Sequence, residues 1–330
     1  MTREPLKDSF GRVHTYLRVS VTDRCNFRCV YCMPAEGLSW KPRDSLLRYE
    51  EVGRLVRIFA EMGVTKVRLT GGEPTIRSDF AQLVGALGQI EGLRDIAMTT
   101  NGHTLARLAP TLAKAGLTRV NISIDTLDDE GFTQITRGGR LARVLEGIEA
   151  AVDAGLTPVK LNAVLLRGDN DDQLVPLVEY AAARAPAVEL RFIEYMPFEA
   201  RWHKSVRSGE LRERLAAHYT LVPGAPRGPD AGPSKTWAIA ENGLVIGFIS
   251  PLSEHFCASC NRLRLSCEGQ LRTCLAHEDT PSLRDLIRAG HSDDALADAI
   301  RAMVMAKKAG HEALLEGGVP FQGVMTSIGG

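Results

Sequence analysis

The sequence predicts an α/β fold in which six strand–helix units build a parallel sheet that closes as a barrel or partial barrel. Two observations carry this prediction. Short strand-like segments recur along the first two thirds of the chain, and amphipathic stretches with apolar residues three and four apart separate most of them. Such alternation produces parallel strands joined by right-handed crossovers. The predicted strands are 15–21, 65–70, 95–100, 118–124, 157–165 and 188–193.

Helices are predicted where the apolar period is clearest, at 50–62 and 140–155. The alternation ends after about residue 197, so we expect a barrel domain at 1–217 and a C-terminal extension at 218–330. The predicted elements of the extension are a loop over 222–234, strands over 236–240 and 244–249 and a helix over 282–308.

Composition excludes several classes of protein. Of the 330 residues, 44% are hydrophobic and 24% are charged, which is typical of a globular chain and not of a disordered or fibrous one. Forty basic residues balance forty acidic ones, so neither a nucleic-acid coat nor a polybasic membrane binder is expected. Without a transmembrane-length apolar run or a signal-peptide core, we expect a cytoplasmic protein. Its seven cysteines are then expected to be metal ligands or catalytic groups.

Each predicted strand has one apolar and one polar face. In the first strand Leu17 and Val19 share one face, while Arg18 lies on the other. Parallel strands covered on both sides are usually apolar throughout, so these polar faces are expected to line a wet or ligand-filled interior. For any single strand, the alternative is a polar face in bulk water. Asp125 alone cannot neutralise the inward cations, and the interior is therefore expected to hold a polyanion. The inward cations are Arg18, Lys66, Arg68, Lys160 and Arg191.

Three cysteines, the front cysteines Cys25, Cys29 and Cys32, follow the first predicted strand with the spacing C-x3-C-x2-C. Three closely spaced thiolates suit three corners of an iron–sulfur cube and leave the fourth iron open to another ligand. A closed zinc site needs four ligands, for which His14 is the nearest spare donor, so zinc is a less economical alternative. Three unrelated buried cysteines are the remaining alternative.

The front motif resembles the cluster motif of the radical S-adenosylmethionine (SAM) superfamily, with Tyr31 as the aromatic residue before the third cysteine. Gly71, Gly72, Glu73 and Pro74 follow the second predicted strand and resemble the GGEP motif of that superfamily, although alone they would indicate only a turn. The resemblance implies a [4Fe–4S] cluster whose open iron is chelated by SAM. It also implies a partial (β/α)6 barrel of the TIM type.

Four further cysteines lie together near the carboxyl end. Three of them, the back cysteines Cys257, Cys260 and Cys274, have the spacing C-x2-C-x13-C, and Cys267 lies between them. Alone, this group would favour a zinc ribbon-like site. Beside the front motif, a second cluster is the better interpretation. Two arginines between these cysteines, Arg262 and Arg264, are two residues apart and share one face of an extended segment.

The run HFCASCNRLRLSCEGQLRTCL at 255–275 resembles the C-terminal signature of the GTP 3′,8-cyclase family, radical SAM enzymes that begin molybdenum cofactor biosynthesis. The resemblance implies that the back cysteines hold a second [4Fe–4S] cluster whose open iron meets the guanine of GTP. Cys267 is outside the family pattern. We expect it to be a buried neutral thiol, and the alternative is that it competes for the second cluster.

Further matches to the family span nearly the whole chain, and none of them implies a catalytic acid–base pair. The terminal Gly329 and Gly330 resemble the family's double-glycine tail, which reaches toward the active site. By resemblance, the SAM-contacting positions are Tyr31, Gly72, Ser123 and Met196. The GTP-binding positions are Arg18, Lys66, Arg68, Thr99, Lys160, Arg191, Arg262 and Arg264.

The reaction implied by the resemblance converts GTP to (8S)-3′,8-cyclo-7,8-dihydroguanosine 5′-triphosphate. The front cluster passes an electron to SAM, a 5′-deoxyadenosyl radical takes hydrogen from C3′ of the ribose, and the C3′ radical attacks C8 of guanine. A further electron completes the product, which passes to cyclic pyranopterin monophosphate synthase. The resemblance also suggests a homodimer.

Two other functions stay open at the level of sequence. A peptide-modifying radical SAM enzyme with an auxiliary cluster would share the front motif but would not need five inward cations. A non-catalytic iron–sulfur or zinc redox protein would bind metal but neither SAM nor GTP. A P-loop GTPase is disfavoured, because the sequence has no GxxxxGK(S/T) motif.

Overall fold

The computed structural model describes residues 3–196, 203–225, 228, 232–276 and 281–310. Within these ranges, eleven strands form one sheet. Gly329 and Gly330 lie outside the described residues. The strands are β1 (Tyr16–Ser20), β2 (Lys66–Thr70), β3 (Asp95–Thr100), β4 (Arg119–Ser123), β5 (Val159–Ala163), β6 (Val188–Ile193), β7 (Leu221–Pro223), β8 (Lys235–Ile239), β9 (Val245–Ile249), β10 (Arg262–Leu265) and β11 (Leu271–Arg272).

Helices connect the parallel strands and cover the outside of the sheet. In α1 the side chains of Val52, Leu55, Val56 and Phe59 are all fully buried, because their spacing of three and four residues places them on one helix face. None of the helices in the described part of the chain is long and apolar enough to span a membrane. The helices are α1 (Tyr49–Glu61), α2 (Phe80–Gly88), α3 (Leu105–Lys114), α4 (Asp129–Thr136), α5 (Leu141–Asp153), α6 (Leu174–Ala182), α7 (Ser208–Ala216), α8 (Leu283–Arg288) and α9 (Asp293–Met305).

The predicted partial barrel is confirmed as an open, barrel-like sheet. Its strand order is β11-β10-β1-β2-β3-β4-β5-β6-β9-β8-β7, and β1 to β6 pair in parallel with their sequence neighbours. These six strands match the six predicted ones, and β3 and β6 match to the residue. The predicted apolar faces pack outward against the helices, since Leu17, Val67, Val120 and Leu161 are fully buried in the core.

The C-terminal part of the chain extends both edges of this sheet. β10 pairs in parallel with β1, and β9 pairs in parallel with β6. β11 and β8 then add antiparallel strands outside them. The division of the chain at 217 and 218 stays a prediction.

Two C-terminal predictions are wrong in part. The helix predicted over 282–308 is two helices, because Gly290 has a left-handed φ of 84° after α8 and Ser292 begins α9 by accepting a hydrogen bond from the amide of Ala295 at 3.2 Å. The loop predicted over 222–234 begins too early, since 222–223 belong to β7.

Candidate active site

A cavity of about 460 Å³ lies against the inner face of the sheet. Its lining includes all eighteen residues that the sequence analysis assigned to a cluster, SAM or GTP. They are the six front and back cysteines, Tyr31, Gly72, Ser123, Met196, Arg18, Lys66, Arg68, Thr99, Lys160, Arg191, Arg262 and Arg264.

The strand register places the two sets of cysteines at opposite ends of the cavity. The front cysteines follow the carboxyl end of β1, whereas Cys257 and Cys260 precede the amino end of β10. β1 and β10 are parallel, with Tyr16 opposite Arg262. Cys274 lies just beyond β11, which is antiparallel to β10, and therefore returns to the same end as Cys257. A five-residue strand rises about 16 Å, which leaves room for two ligands between the ends.

The loop of the front cysteines is held against the end of α4. The amide of Arg28 donates to the carbonyl of Thr136 at 2.8 Å, and the amide of Val30 donates to the carbonyl of Ile135 at 2.9 Å. Burial raises the pKa of the Cys29 thiol and raises that of Cys25 to about 11, so both are neutral thiols in the metal-free chain. Metal binding would deprotonate them, and three soft sulfur donors on one loop fit an iron–sulfur cluster.

The glycine turn after β2 packs directly on the segment that leads into this loop. A Cβ on Gly72 would overlap the carbonyl oxygen of Arg24, so only glycine permits the close approach. The buried carboxylate of Glu73 fixes the turn by accepting hydrogen bonds from the amide of Thr75 at 3.0 Å, the hydroxyl of Thr100 at 2.8 Å and the amide of Asn101 at 2.7 Å. The turn is therefore packed against the residues that lead into the front cysteines.

Replacing Gly72 with alanine is expected to weaken SAM binding by about tenfold or more, or about 1.4 kcal/mol, because the added methyl group pushes backbone atoms next to the front cysteines. Equilibrium dialysis of SAM against reconstituted protein measures the effect. The matched control is Gly85→Ala in α2, where a Cβ meets nothing within 4 Å and the change should raise stability by about 1 kcal/mol. If Gly72→Ala binds SAM as tightly as the parent protein, this turn is not part of the SAM site.

Asp125 holds the front loop and does not act as the counter-ion of the inward cations. Its carboxylate accepts a hydrogen bond from the hydroxyl of Tyr31 at 2.6 Å and one from the amide of Val164 at 2.8 Å. Burial raises the pKa of Asp125 to about 6, and these two hydrogen bonds oppose that rise. The Tyr31 side chain is thereby fixed beside the cysteines.

The counter-ions are two carboxylates that the sequence analysis missed. Lys66 lies 3.2 Å from Asp95, while Lys160 and Arg191 each lie 3.3 Å from Glu189. Asp125 was the one carboxylate considered among the inward cations, and Asp95 and Glu189 are two more. The lining still carries an excess of cations, because its arginines and lysines outnumber these acids together with the two carboxylates that line the cavity.

Two more lining residues were missed, Tyr16 and Arg119. The ammonium of Lys66 lies 5.2 Å from the centroid of the Tyr16 ring, and the guanidinium of Arg68 lies 5.5 Å from it. These cation–π contacts hold the two cations side by side at the back of the cavity. Strand alternation predicts that both missed residues point inward, since Tyr16 shares a face with Arg18 and Arg119 shares a face with Asn121.

Several buried oxygens on the inner face have no hydrogen-bond partner among the described residues. They are Thr70 Oγ1, Thr99 Oγ1, Asn121 Oδ1 and Asn162 Oδ1, and all four residues line the cavity. A buried polar atom without a partner is costly, so this surface is suited to a polar ligand.

The back cysteines lie among positive charges. Burial would raise the pKa of Cys260, but the charges of Arg262 and Lys307 outweigh it and lower that pKa to about 6. Cys267 is different: it is 1% exposed, does not line the cavity, and has a pKa raised by burial to about 12. The prediction that this thiol is buried is confirmed.

No three His, Cys, Asp or Glu side chains in the described ranges converge closely enough to hold a single metal ion. A [4Fe–4S] cube does not require such convergence, because each thiolate binds a different iron.

Comparisons with known proteins identify the family. Residues 19–181 match the family described as the radical SAM superfamily, and residues 188–313 match the one described as Molybdenum Cofactor Synthesis C. A GTP 3′,8-cyclase from Mycobacterium sp. (strain KMS) is 46% identical over 316 residues, which cover 94% of this chain and 89% of that protein. A GTP 3′,8-cyclase from Marinobacter nauticus is 44% identical, with complete coverage of both chains.

A solved structure shares the fold at low sequence identity. Streptococcus suis SuiB, crystallised with S-adenosylmethionine, has a TM-score of 0.60 and 18% identity over 88% of this chain and 68% of its own. The full-length similarity to the curated enzymes goes further than this shared fold. The chain therefore belongs to the GTP 3′,8-cyclase family of the radical SAM superfamily.

Proposed function

We propose that this chain converts GTP to (8S)-3′,8-cyclo-7,8-dihydroguanosine 5′-triphosphate, the first step of molybdenum cofactor biosynthesis. One observation carries the proposal: a single cavity has a cysteine triad at each end and a band of cations between them. SAM and GTP, which must meet for this reaction, would then bind from opposite ends. No side chain is required as a catalytic acid or base.

Membership of the superfamily implies a [4Fe–4S] cluster and SAM. The front cysteines would hold the cluster, and Tyr31, Gly72, Ser123 and Met196 would contact SAM. When bound, the cluster and SAM supply the one-electron chemistry that removes a hydrogen atom from the substrate. The protein supplies position: Asp125 fixes Tyr31, and Glu73 fixes the glycine turn.

The inward cations would bind the triphosphate. Arginine offers a planar fork to phosphate oxygens and lysine offers a point charge, so Arg68 and Arg191 would orient the phosphates while Lys66 and Lys160 neutralise them. Arg18 and Thr99 would complete the contacts. Asp95 already holds Lys66, and Glu189 already holds Lys160 and Arg191, so these three side chains need little reorganisation when GTP binds.

The back cysteines would hold a second [4Fe–4S] cluster that receives the guanine. Arg262 and Arg264 lie on β10, level with Lys66 and Arg68 across β1, and both line the cavity. The ribose would then lie nearer the front, where SAM binds. An enclosed cavity also keeps water and stray hydrogen donors away from a reactive intermediate.

The two alternatives fit less well. A peptide-modifying radical SAM enzyme shares the fold, but it has no need for this cationic interior. A non-catalytic redox protein leaves the glycine turn and the unpartnered oxygens of the inner face without a role. We further propose, from the family resemblance, a cytoplasmic homodimer that passes its product to cyclic pyranopterin monophosphate synthase.

An anaerobic turnover assay tests the proposal. Reconstituted protein receives reductant and SAM, with or without GTP, and mass spectrometry follows 5′-deoxyadenosine and nucleotides. GTP-dependent 5′-deoxyadenosine together with a nucleotide isomeric with GTP is the expected result. 5′-Deoxyadenosine with unchanged GTP would favour the peptide-modifying alternative. Protein with intact clusters that makes no 5′-deoxyadenosine would favour the redox protein.

A further inference from the structure

A buried lysine at the end of α9 lies against the back cysteines. Lys307 is 4% exposed, and its ammonium donates to the carbonyl of Arg262 at 2.9 Å and lies 3.8 Å from the sulfur of Cys260. Burying an ammonium is costly unless a partner compensates for the lost water. A carbonyl and a sulfur compensate only partly for the lost hydration of the ammonium. The position of Lys307 therefore suits an anionic group bound at the back cysteines.

The amino-terminal segment reaches the same loop from the other side. The guanidinium of Arg12 donates to the carbonyl of Cys257 at 2.9 Å and to the carbonyls of Lys308 and Ala309 at 2.7 and 2.6 Å. Its Nε lies 2.6 Å from the buried carboxylate of Asp8, which sets the direction of the guanidinium. Arg12 therefore joins the cysteine loop to the segment after α9.

Packing of α9 fixes where Lys307 can lie. Leu296, Ile300 and Val304 on one face of the helix are fully buried in the core. At the start of the helix, Asp293 lies 2.7 Å from Arg54 of α1. The ammonium is thus carried to the cysteines by a helix anchored on the barrel, and not by a mobile side chain on the surface.

We propose that Lys307 is a positioning residue of the back site, which fixes Cys260 relative to Arg262 and supplies a positive charge to an anionic iron–thiolate group held there. Arg12 has the matching role at Cys257. This inference rests on the proposed function, since the second cluster is part of it. Neither residue belongs to the cysteine or nucleotide-binding positions predicted above.

The test isolates the back cluster in the full chain. With Cys25, Cys29 and Cys32 all changed to alanine, only the back cysteines can hold a cluster, and EPR-monitored redox titration reports its potential. In this parent, Lys307→Gln keeps an N–H for the carbonyl of Arg262 but removes the charge. We expect the ratio of reduced to oxidised cluster at a fixed potential to fall about tenfold, which is about 60 mV for one electron.

Three further variants make the result specific. Lys307→Arg restores the charge and should restore the parent potential. Lys308→Gln removes the charge of the exposed neighbouring lysine and should leave the potential unchanged. Arg12→Gln removes charge from the other side of the loop and should shift the potential in the same direction as Lys307→Gln. If Lys307→Gln does not fold, Arg12→Gln provides the test of the positive charge at the back site.

The inference is overturned if Lys307→Gln leaves the potential unchanged, or if Lys308→Gln moves it as far. Where Lys307→Gln does not fold, an unchanged potential in Arg12→Gln overturns it. Failure of the proposed function has a separate signature. If the parent lacking the front cysteines takes up no iron, the second cluster is absent, and this inference fails with it. If the parent takes up about four irons per chain and its potential is insensitive to Lys307, only the positioning role fails.

Discussion

Replacing Cys29 with alanine is expected to abolish SAM cleavage and leave GTP binding intact. Two thiolates would remain on the front loop, which is too few to retain a site-differentiated cube. Iron should fall from about eight to about four per chain after reconstitution, and 5′-deoxyadenosine should fall to background. Lys66 and Lys160, which are proposed to bind the phosphates, lie on β2 and β5 and keep their carboxylate partners, so GTP affinity measured by dialysis should not change.

The control for this experiment is Cys267→Ala, the same chemical change at the cysteine that does not line the cavity. It should keep about eight irons and full 5′-deoxyadenosine production, because its sulfur is in the core. The substitution should instead lower the free energy of unfolding by about 1 kcal/mol, measured by thermal or urea denaturation. A Cys29→Ala enzyme that cleaves SAM at the parent rate would show that Cys29 is not a cluster ligand.

The fold could be predicted where side-chain period alone decides the structure. The six barrel strands alternate strictly, and their boundaries fall within about two residues of the prediction. The partners of the barrel edges could not be predicted in this way. β10 has four residues, and its partner β1 lies more than two hundred residues away in the chain. Local pattern contains no information about such pairing.

The residues named from the sequence come from the front, the middle and the back of the cavity, but four residues near the back were missed. The missed residues Tyr16, Asp95, Arg119 and Glu189 all lie in the first two positions of their strands. Each shares a face with an inward residue that was predicted, so alternation would have identified all four if it had been extended to the strand ends. Strand ends are the least certain part of any pattern, and here they form the layer next to the back cysteines.

Replacing Cys274 with alanine is expected to separate SAM cleavage from GTP conversion. The front cysteines, the glycine turn and the inward cations are untouched, so GTP can still enter the cavity and 5′-deoxyadenosine formation should persist. The back cluster should be lost, with iron falling by about four per chain. Without it, guanine has no fixed position at the end of the cavity, and conversion of GTP should fall to background. The readouts are iron, 5′-deoxyadenosine and cyclised nucleotide from one anaerobic reaction.

Cys267→Ala again provides the comparison, since it lies in the same run of sequence and differs from Cys274 in where its sulfur points. Cys274 lines the cavity and follows β11 back to the end where Cys257 and Cys260 lie, whereas Cys267 is enclosed in the core. Retained cyclisation in Cys274→Ala together with loss of the back cluster in Cys267→Ala would reverse the ligand assignment. Loss of both products in Cys274→Ala would instead mean that SAM cleavage itself depends on a correctly bound GTP, so that the two ends of the cavity act as one site.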